Sequence, residues 1–209
     1  MNDVAAIVYI VDDEPDVRRA LIRSIEKKGY IVQAFDSAYA FLENYPSGQT
    51  GCVILDVRMP GMSGLELQEE LLRREIILPI IFISGHGDIS MSVRAIKDGA
   101  FDFLEKPYHV DALLERIDGA IEESHRRQSV FEFEFAIKQR YDTLTSREQD
   151  VMKLLVAGAA NVSNKEIARV LSISHRTVDT HRSRIMDKMQ ARSVSELVEM
   201  AKVCSIYIA

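Results

Sequence analysis

Short apolar runs alternate with longer amphipathic stretches through the first 120 or so residues, and the texture changes after that. Five runs read as strands: AAIVYIV (5–11), YIVQAF (30–35), CVILD (52–56), PIIFIS (79–84) and the short FDFLEK (101–106). Most are continuous rather than alternating, which is the pattern of strands buried on both faces. Between them, apolar residues recur at helical spacing: Val17, Ala20, Leu21 and Ile25; Ala40 and Phe41; Leu65, Leu67, Leu71 and Leu72; Val93, Ala95 and Ile96. A fifth helix is expected after Pro107, through Val110, Leu113, Leu114, Ile117 and Ile121. Strands alternating with helices predict an α/β domain over residues 1–122, built on a doubly wound five-stranded parallel sheet.

From about Glu122 the chain reads EESHRRQSVFEFEFAIKQRYDT, charged and without Gly or Pro. Residues 123–143 are expected to be a linker, mostly helical, although the alternation of Phe131, Phe133 and Phe135 also allows a short strand. Residues 144–209 are helical by period. Thr145 and Glu148 have the spacing of a capping box, and Gly158 is expected to stop that helix. A short helix over 164–171, the turn Ser172-Ile-Ser174, a longer helix over 175–189 and a last one over 193–202 follow. Two helices joined by a short turn read as helix-turn-helix, so a second, all-α domain is expected.

Composition is that of an ordinary globular protein, 47% hydrophobic and 28% charged. No apolar run nears the roughly 18 residues needed to span a bilayer, and the acidic start does not resemble a signal peptide, so a cytoplasmic protein without a membrane partner is expected. Cys52 and Cys204 read as reduced, buried thiols, not as a disulfide framework. The net charge of −6 conceals an asymmetry. Residues 1–120 hold 12 Lys and Arg against 20 Asp and Glu, while residues 121–209 hold 14 against 12. Within 161–192 stand seven basic side chains against three acidic ones, a basic patch with its own possible partner.

The chemistry of the first domain concerns what stands at the strand ends, where open parallel sheets bind ligands. Asp12 and Asp13 follow the first strand, Asp56 ends the third, Ser84 the fourth and Lys106 the fifth. A bare carboxylate ending so apolar a run as CVILD is costly, so Asp56 is either a solvated turn residue or part of a site that requires its charge. Carboxylates gathered together repel unless a cation intervenes, and an all-oxygen set suits Mg²⁺, whereas zinc is disfavoured because no His or Cys joins the set. Pro60, Gly61 and Gly64 read as a tight loop after Asp56.

The series VDDE, VILDVRMPGMSG, ISGHGD and FLEKPY resembles the receiver domain of bacterial two-component response regulators, a flavodoxin-like fold, over about residues 4–122. The resemblance implies that Asp56 accepts a phosphoryl group from a histidine kinase. It implies Mg²⁺ bound by Asp12, Asp13, Asp56 and the backbone carbonyl of Arg58. Lys106 would neutralise the phosphoryl group and Ser84 would bond one of its oxygens. Phe103 would turn inward as Ser84 moves, altering the face of the fourth helix and fifth strand used for dimerisation. In the family the Lys106–Pro107 bond is cis. A dehalogenase-like phosphatase also phosphorylates a strand-end aspartate, but its second acid would stand at Arg58, so steady turnover is not expected and the chain is not read as an enzyme.

LTSREQDVMKLLVAG, SNKEIARVLSISHRTVDTHRSRIMDKM and ARSVSELV resemble the LuxR/NarL-type DNA-binding domain, over about residues 144–203. The resemblance places the helix from Arg176 to Met189 in the major groove. Asp179, Thr180 and Ser183 would face base edges, an Asp being able to accept from cytosine N4. Asn164, Lys165, Thr177, His181, Arg184 and Lys188 would contact phosphates or support those that do. Residues 159–162 lengthen the first loop beyond the family pattern. The two matches together resemble the FixJ-type branch of response regulators. They imply a phosphorylation-dependent transcription factor, expected to be an activator, that dimerises on a two-fold DNA site and works with a histidine kinase and RNA polymerase. The alternative is a regulator that acts without phosphorylation, or whose second domain binds protein or RNA.

Overall fold

The computed structural model describes residues 6–46, 48–85, 89–157 and 162–203. Ala5, the His86–Asp88 part of one motif, Gly158, residues 159–161 of the lengthened loop and Cys204 lie outside them. The chain divides into two compact units, Met1–Ser129 and Val130–Ala209.

In the first unit the strands are β1 (Ile7–Val11), β2 (Ile31–Phe35), β3 (Gly51–Asp56), β4 (Ile80–Ser84) and β5 (Asp102–Glu105). They form one parallel sheet in the order β2-β1-β3-β4-β5. The helices are α1 (Pro15–Glu26), α2 (Ala38–Asn44), α3 (Gly64–Arg73), α4 (Ile89–Lys97) and the first part of α5 (Val110–Asp142), whose residues from Val130 on belong to the second unit. Successive residues of a strand point to opposite faces, which explains why β1, β3 and β4 are apolar along nearly their whole length, while the edge strands β2 and β5 admit Gln33, Asp102 and Glu105. Tyr9, Val11, Val53, Leu55 and Phe82 pack with Phe41, Leu67, Leu71 and Ala95 from α2, α3 and α4. Val8, Ile10, Cys52, Ile54, Ile81 and Ile83 pack on the other face with Leu21 and Ile25 of α1 and Leu113 and Ile117 of α5. Cys52 is a free thiol, and its burial pushes its pKa up to about 12.

The segment that allowed either a helix or a strand is helical, with α5 running unbroken to Asp142. Glu, Gln, Arg, Lys and Ala favour the helix at most positions from 122 to 140, and no Gly or Pro interrupts it. The period-two phenylalanines do not override that preference.

In the second unit α6 (Ser146–Ala157), α7 (Asn164–Leu171), α8 (His175–Met189) and α9 (Val194–Val203) enclose a core that includes Ile137, Val151, Leu155, Ile167, Val178, Ile185, Met189 and Leu197. The Glu148 N–H donates to the Thr145 hydroxyl at 3.3 Å and the Thr145 N–H donates to the Glu148 carboxylate at 2.9 Å, the reciprocal cap expected there. Ser163 and Glu166 cap α7 in the same way. Ser172, in the left-handed region, ends α7, and the Ser174 side chain accepts from the Thr177 N–H to start α8.

Candidate functional site

The parallel register sets the ends of β1, β3, β4 and β5 side by side, with Leu55 paired to Val11, Asp56 to Ile83 and Ser84 to Glu105. Asp12, Asp56, Ser84 and Lys106 therefore meet on one rim. The Lys106 ammonium lies 3.2 Å from Asp56 Oδ1 and 3.6 Å from Asp12 Oδ2. The other Asp56 oxygen, Oδ2, accepts the Arg58 N–H at 2.7 Å, which turns the chain back over the carboxylate. Asp12 Oδ1 accepts the Glu14 N–H at 2.8 Å. Ser84 is buried, and its carbonyl accepts the Lys106 N–H at 2.8 Å, tying β4 to the residue that carries the cation. The Lys106–Pro107 bond is cis.

Charge at this rim does not balance within the cluster. Burial raises the Asp12 carboxyl above the ordinary aspartate range; the Glu14 N–H and Lys106 oppose that, while the charges of Asp56 and Glu14 add to it. Burial works against the Lys106 charge, yet Asp12 and Asp56 hold its pKa above the ordinary lysine value. One ammonium therefore serves two buried acids.

Among the described residues no group of three or more His, Cys, Asp and Glu side chains is gathered closely enough to hold a metal ion. Asp12 and Asp56 meet at Lys106, whereas Asp13 lines an open cavity of about 530 Å³ with Arg58, Met59, Pro60 and Met91. The available donors still fit a hard cation, because they are all oxygen and the carboxylates exceed their counter-charge.

The loop after Asp56 depends on glycine at two places. Gly61 has φ +81°, and a Cβ built on Gly64 would lie 2.3 Å from the Asp56 carbonyl oxygen. The Gly64 N–H donates to the Val57 carbonyl at 3.0 Å, seating the start of α3 against the strand end. Phe103 is half-buried beside Phe82, with ring centroids 6.2 Å apart.

On α8 the expected DNA-facing residues divide into two sets. Arg176, Asp179, Thr180, Ser183 and Arg184 are exposed, as is Lys165 on α7. Asp179 is already engaged, accepting from the Asn164 amide and lying 3.1 Å from His175 Nδ1. Asn164 also accepts from Arg182, a residue that the sequence reading passed over and that links α8 to α7. Its basic type was legible, but its partner 18 positions away was not. The Thr180 hydroxyl donates to the Arg176 carbonyl at 3.0 Å. Thr177 belongs to the α8 cap with Ser174, and His181 is half-buried with an unpartnered Nδ1.

Lys188 is engaged within the second unit. Its ammonium donates to the buried Glu148 carboxylate at 2.7 Å and to the Thr143 carbonyl at 3.0 Å. Burial works against the Glu148 charge, but Lys188 and the Thr145 N–H and hydroxyl hold its carboxyl below the ordinary glutamate range.

Comparison with known proteins accords with this division. Residues 8–118 match the response regulator receiver domain family, and residues 142–201 match the luxR family of bacterial regulatory proteins. The chain is 42% identical to Nodulation protein W of Bradyrhizobium diazoefficiens over 96% of its own length and 87% of that protein's. It is 42% identical to the transcriptional regulatory protein FixJ of Rhizobium meliloti, covering 93% of this chain and 94% of that one. Among solved structures, the response regulator StyR is 41% identical with a TM-score of 0.78, over 95% of this chain and 98% of that one. Full-length FixJ from B. japonicum is 39% identical with a TM-score of 0.58, over 96% and 98%.

Proposed function

Because the chain belongs to the two-component response regulators of the FixJ type, whose family role is phosphorylation-dependent regulation of transcription, we propose that Asp56 is the phosphoacceptor and that its phosphorylation controls DNA binding by the second unit. The observation that carries this reading is the shared ammonium: Lys106 stands 3.2 Å from Asp56 and 3.6 Å from Asp12 on an open rim.

Phosphoryl transfer demands in-line placement and cover for charge on the equatorial oxygens more than covalent help. The Arg58 N–H bond to Oδ2 fixes the Asp56 carboxylate, leaving Oδ1 on the Lys106 side as the attacking oxygen. Lys106 then follows the new charge, and the Ser84 hydroxyl bonds a phosphoryl oxygen. Mg²⁺, held by Asp12, Asp13, Asp56 and the Arg58 carbonyl, would supply the remaining counter-charge. The phosphoryl donor is a histidine kinase.

A phosphoryl group adds nearly two charges and three strong acceptors at one point. Movement of Ser84 toward it gives Phe103 room to turn inward, which alters α4 and β5 and favours a homodimer. A shift from 1:99 to 99:1 needs about 5.5 kcal/mol, within reach of such a network joined to a new interface. The dimer binds a two-fold promoter site with half-sites about one helical turn apart and activates transcription with RNA polymerase. Asp179, held by Asn164 and His175, is poised to accept from cytosine N4, with Thr180 and Ser183 beside it; Arg176, Arg184 and Lys165 meet phosphates.

The test is DNA affinity and dimerisation with and without acetyl phosphate and Mg²⁺. Wild-type protein is expected to gain in both and an Asp56→Asn protein in neither. An Asp56→Asn protein that responded like wild type would sink the reading.

A further inference from the structure

Asp179 and Arg182 stand three positions apart on α8, a spacing at which opposite charges on a helix meet directly. Among the described residues no ion pair joins them, and the cationic neighbour of Asp179 is His175. The side chain of Asn164, at the start of α7, stands between the two: its amide donates to Asp179 Oδ1, and its own oxygen accepts from the Arg182 guanidinium. Asn164 and Arg182 are half-buried, whereas Asp179 is exposed. We propose that Asn164 and Arg182 are positioning residues for base recognition, a relay that holds the Asp179 carboxylate where it accepts from a cytosine N4. The proposal rests on the reading of Asp179 as a base contact and extends it to two residues that touch no base.

The chemistry of the three side chains fixes the direction of the relay. A guanidinium only donates and an ionised carboxylate only accepts, while an amide does each at a different end. The Asn164 oxygen therefore faces Arg182 and its NH₂ faces Asp179; a flipped amide would set donor against donor and acceptor against acceptor. Arg182 keeps its charge at any working pH, so the orientation does not depend on titration. The other Asp179 oxygen lies 3.1 Å from His175 Nδ1. A carboxylate offers about four acceptor positions, so two remain for an incoming donor.

Removing either member undoes the arrangement. Without the Asn164 amide, Asp179 and Arg182 are left to pair along the helix, which draws the carboxylate off the base. Without Arg182, the Asn164 oxygen loses its donor and the amide is free to leave Asp179. The relay thus gives Arg182 a part in base preference, which separates it from Arg184, a cation on the same helix assigned to phosphate.

DNA selection followed by titration tests this on the full-length chain incubated with acetyl phosphate and Mg²⁺. A random-sequence duplex library yields the preferred site, and the cytosine that disappears when Asp179→Ala is selected in parallel marks the base that Asp179 reads. Affinity is then measured for duplexes with C·G or A·T at that position, over a series of salt concentrations. The wild-type chain should prefer C·G by about tenfold, the size of one good base contact. Asn164→Ala and Arg182→Met should each cut that preference to about threefold or less, leave the salt slope unchanged and have no effect on preference in an Asp179→Ala background. Arg182→Lys, which keeps a donor for the amide oxygen, should retain most of the preference. Variants that weaken both duplexes equally overturn the relay and leave its members a purely structural role. A salt slope that falls by about one in Arg182→Met, with the preference kept, overturns it in favour of a phosphate contact. An Asp179→Ala chain that selects the same site overturns the base contact on which the relay rests, and DNA binding by the second unit stands.

Discussion

Two lysine–carboxylate clusters, one in each unit, use the same side chains to opposite ends. In the second unit Glu148 is 1% exposed, paired with one lysine at 2.7 Å and bonded to the N–H and hydroxyl of Thr145. Its charge is matched, and nothing further is required of it. In the first unit Lys106 is divided between two acids, at 3.2 and 3.6 Å, on a rim beside a cavity. A buried acid with its own cation is architecture, whereas acids that outnumber theirs are a place for an incoming ion and group.

The largest expected effect comes from breaking the closed pair. Glu148→Ala removes the carboxylate half of the α6 cap, leaving the Thr145 N–H unpaired and Lys188 with only the Thr143 carbonyl, which should cost about 3 kcal/mol and appear as a lower unfolding temperature of the second unit in the full chain. The pH dependence sharpens the comparison. The Glu148 carboxyl is held below its ordinary value of 4.5, so its stabilisation is complete above that pH and is lost as the pH falls through the folded value. Asp12 has the opposite sign. Its folded pKa lies above 3.8, so its ionised form opposes folding at neutral pH and the opposition fades as the pH falls.

Gly64→Ala comes next. The new Cβ must displace the Asp56 carbonyl, which should cost about 2 kcal/mol and slow phosphoryl uptake, read by thermal unfolding and by intact mass. Asp12→Asn should raise the unfolding temperature of the first unit at neutral pH by a few degrees, the size expected of about 1 kcal/mol. A fall instead would mean that the rim charge is balanced and that the contrast with Glu148 is misplaced. The smallest effect separates two cations on α8. Arg184→Ala should reduce the salt dependence of DNA binding by about one ion, whereas Lys188→Met should lower stability and leave that slope unchanged.

Much of this was legible in the sequence, for identifiable reasons. The inner strands β1, β3 and β4 announce themselves because both faces are buried, and the strand-end residues follow from chain order once the sheet is parallel. The Thr145–Glu148 cap is local and could be read directly. What escaped were pairings between residues distant in sequence. Lys188 has the spacing of a groove-facing cation, and nothing near it reveals Glu148, 40 positions earlier. That Asp12 and Asp56 share Lys106 while Asp13 lines the cavity depends on side-chain directions that strand order leaves free. Phe131, Phe133 and Phe135 carry a strand's period within a helix-favouring composition, and local propensity together with the unbroken α5 decided the outcome.

The central claim, that the uncompensated charge at Asp56 is the reagent, is tested most directly by the intact mass of the full-length chain after incubation with acetyl phosphate and Mg²⁺. One phosphoryl adduct is expected on the wild-type chain and none on Asp56→Asn. The same adduct on Asp56→Asn would contradict the account.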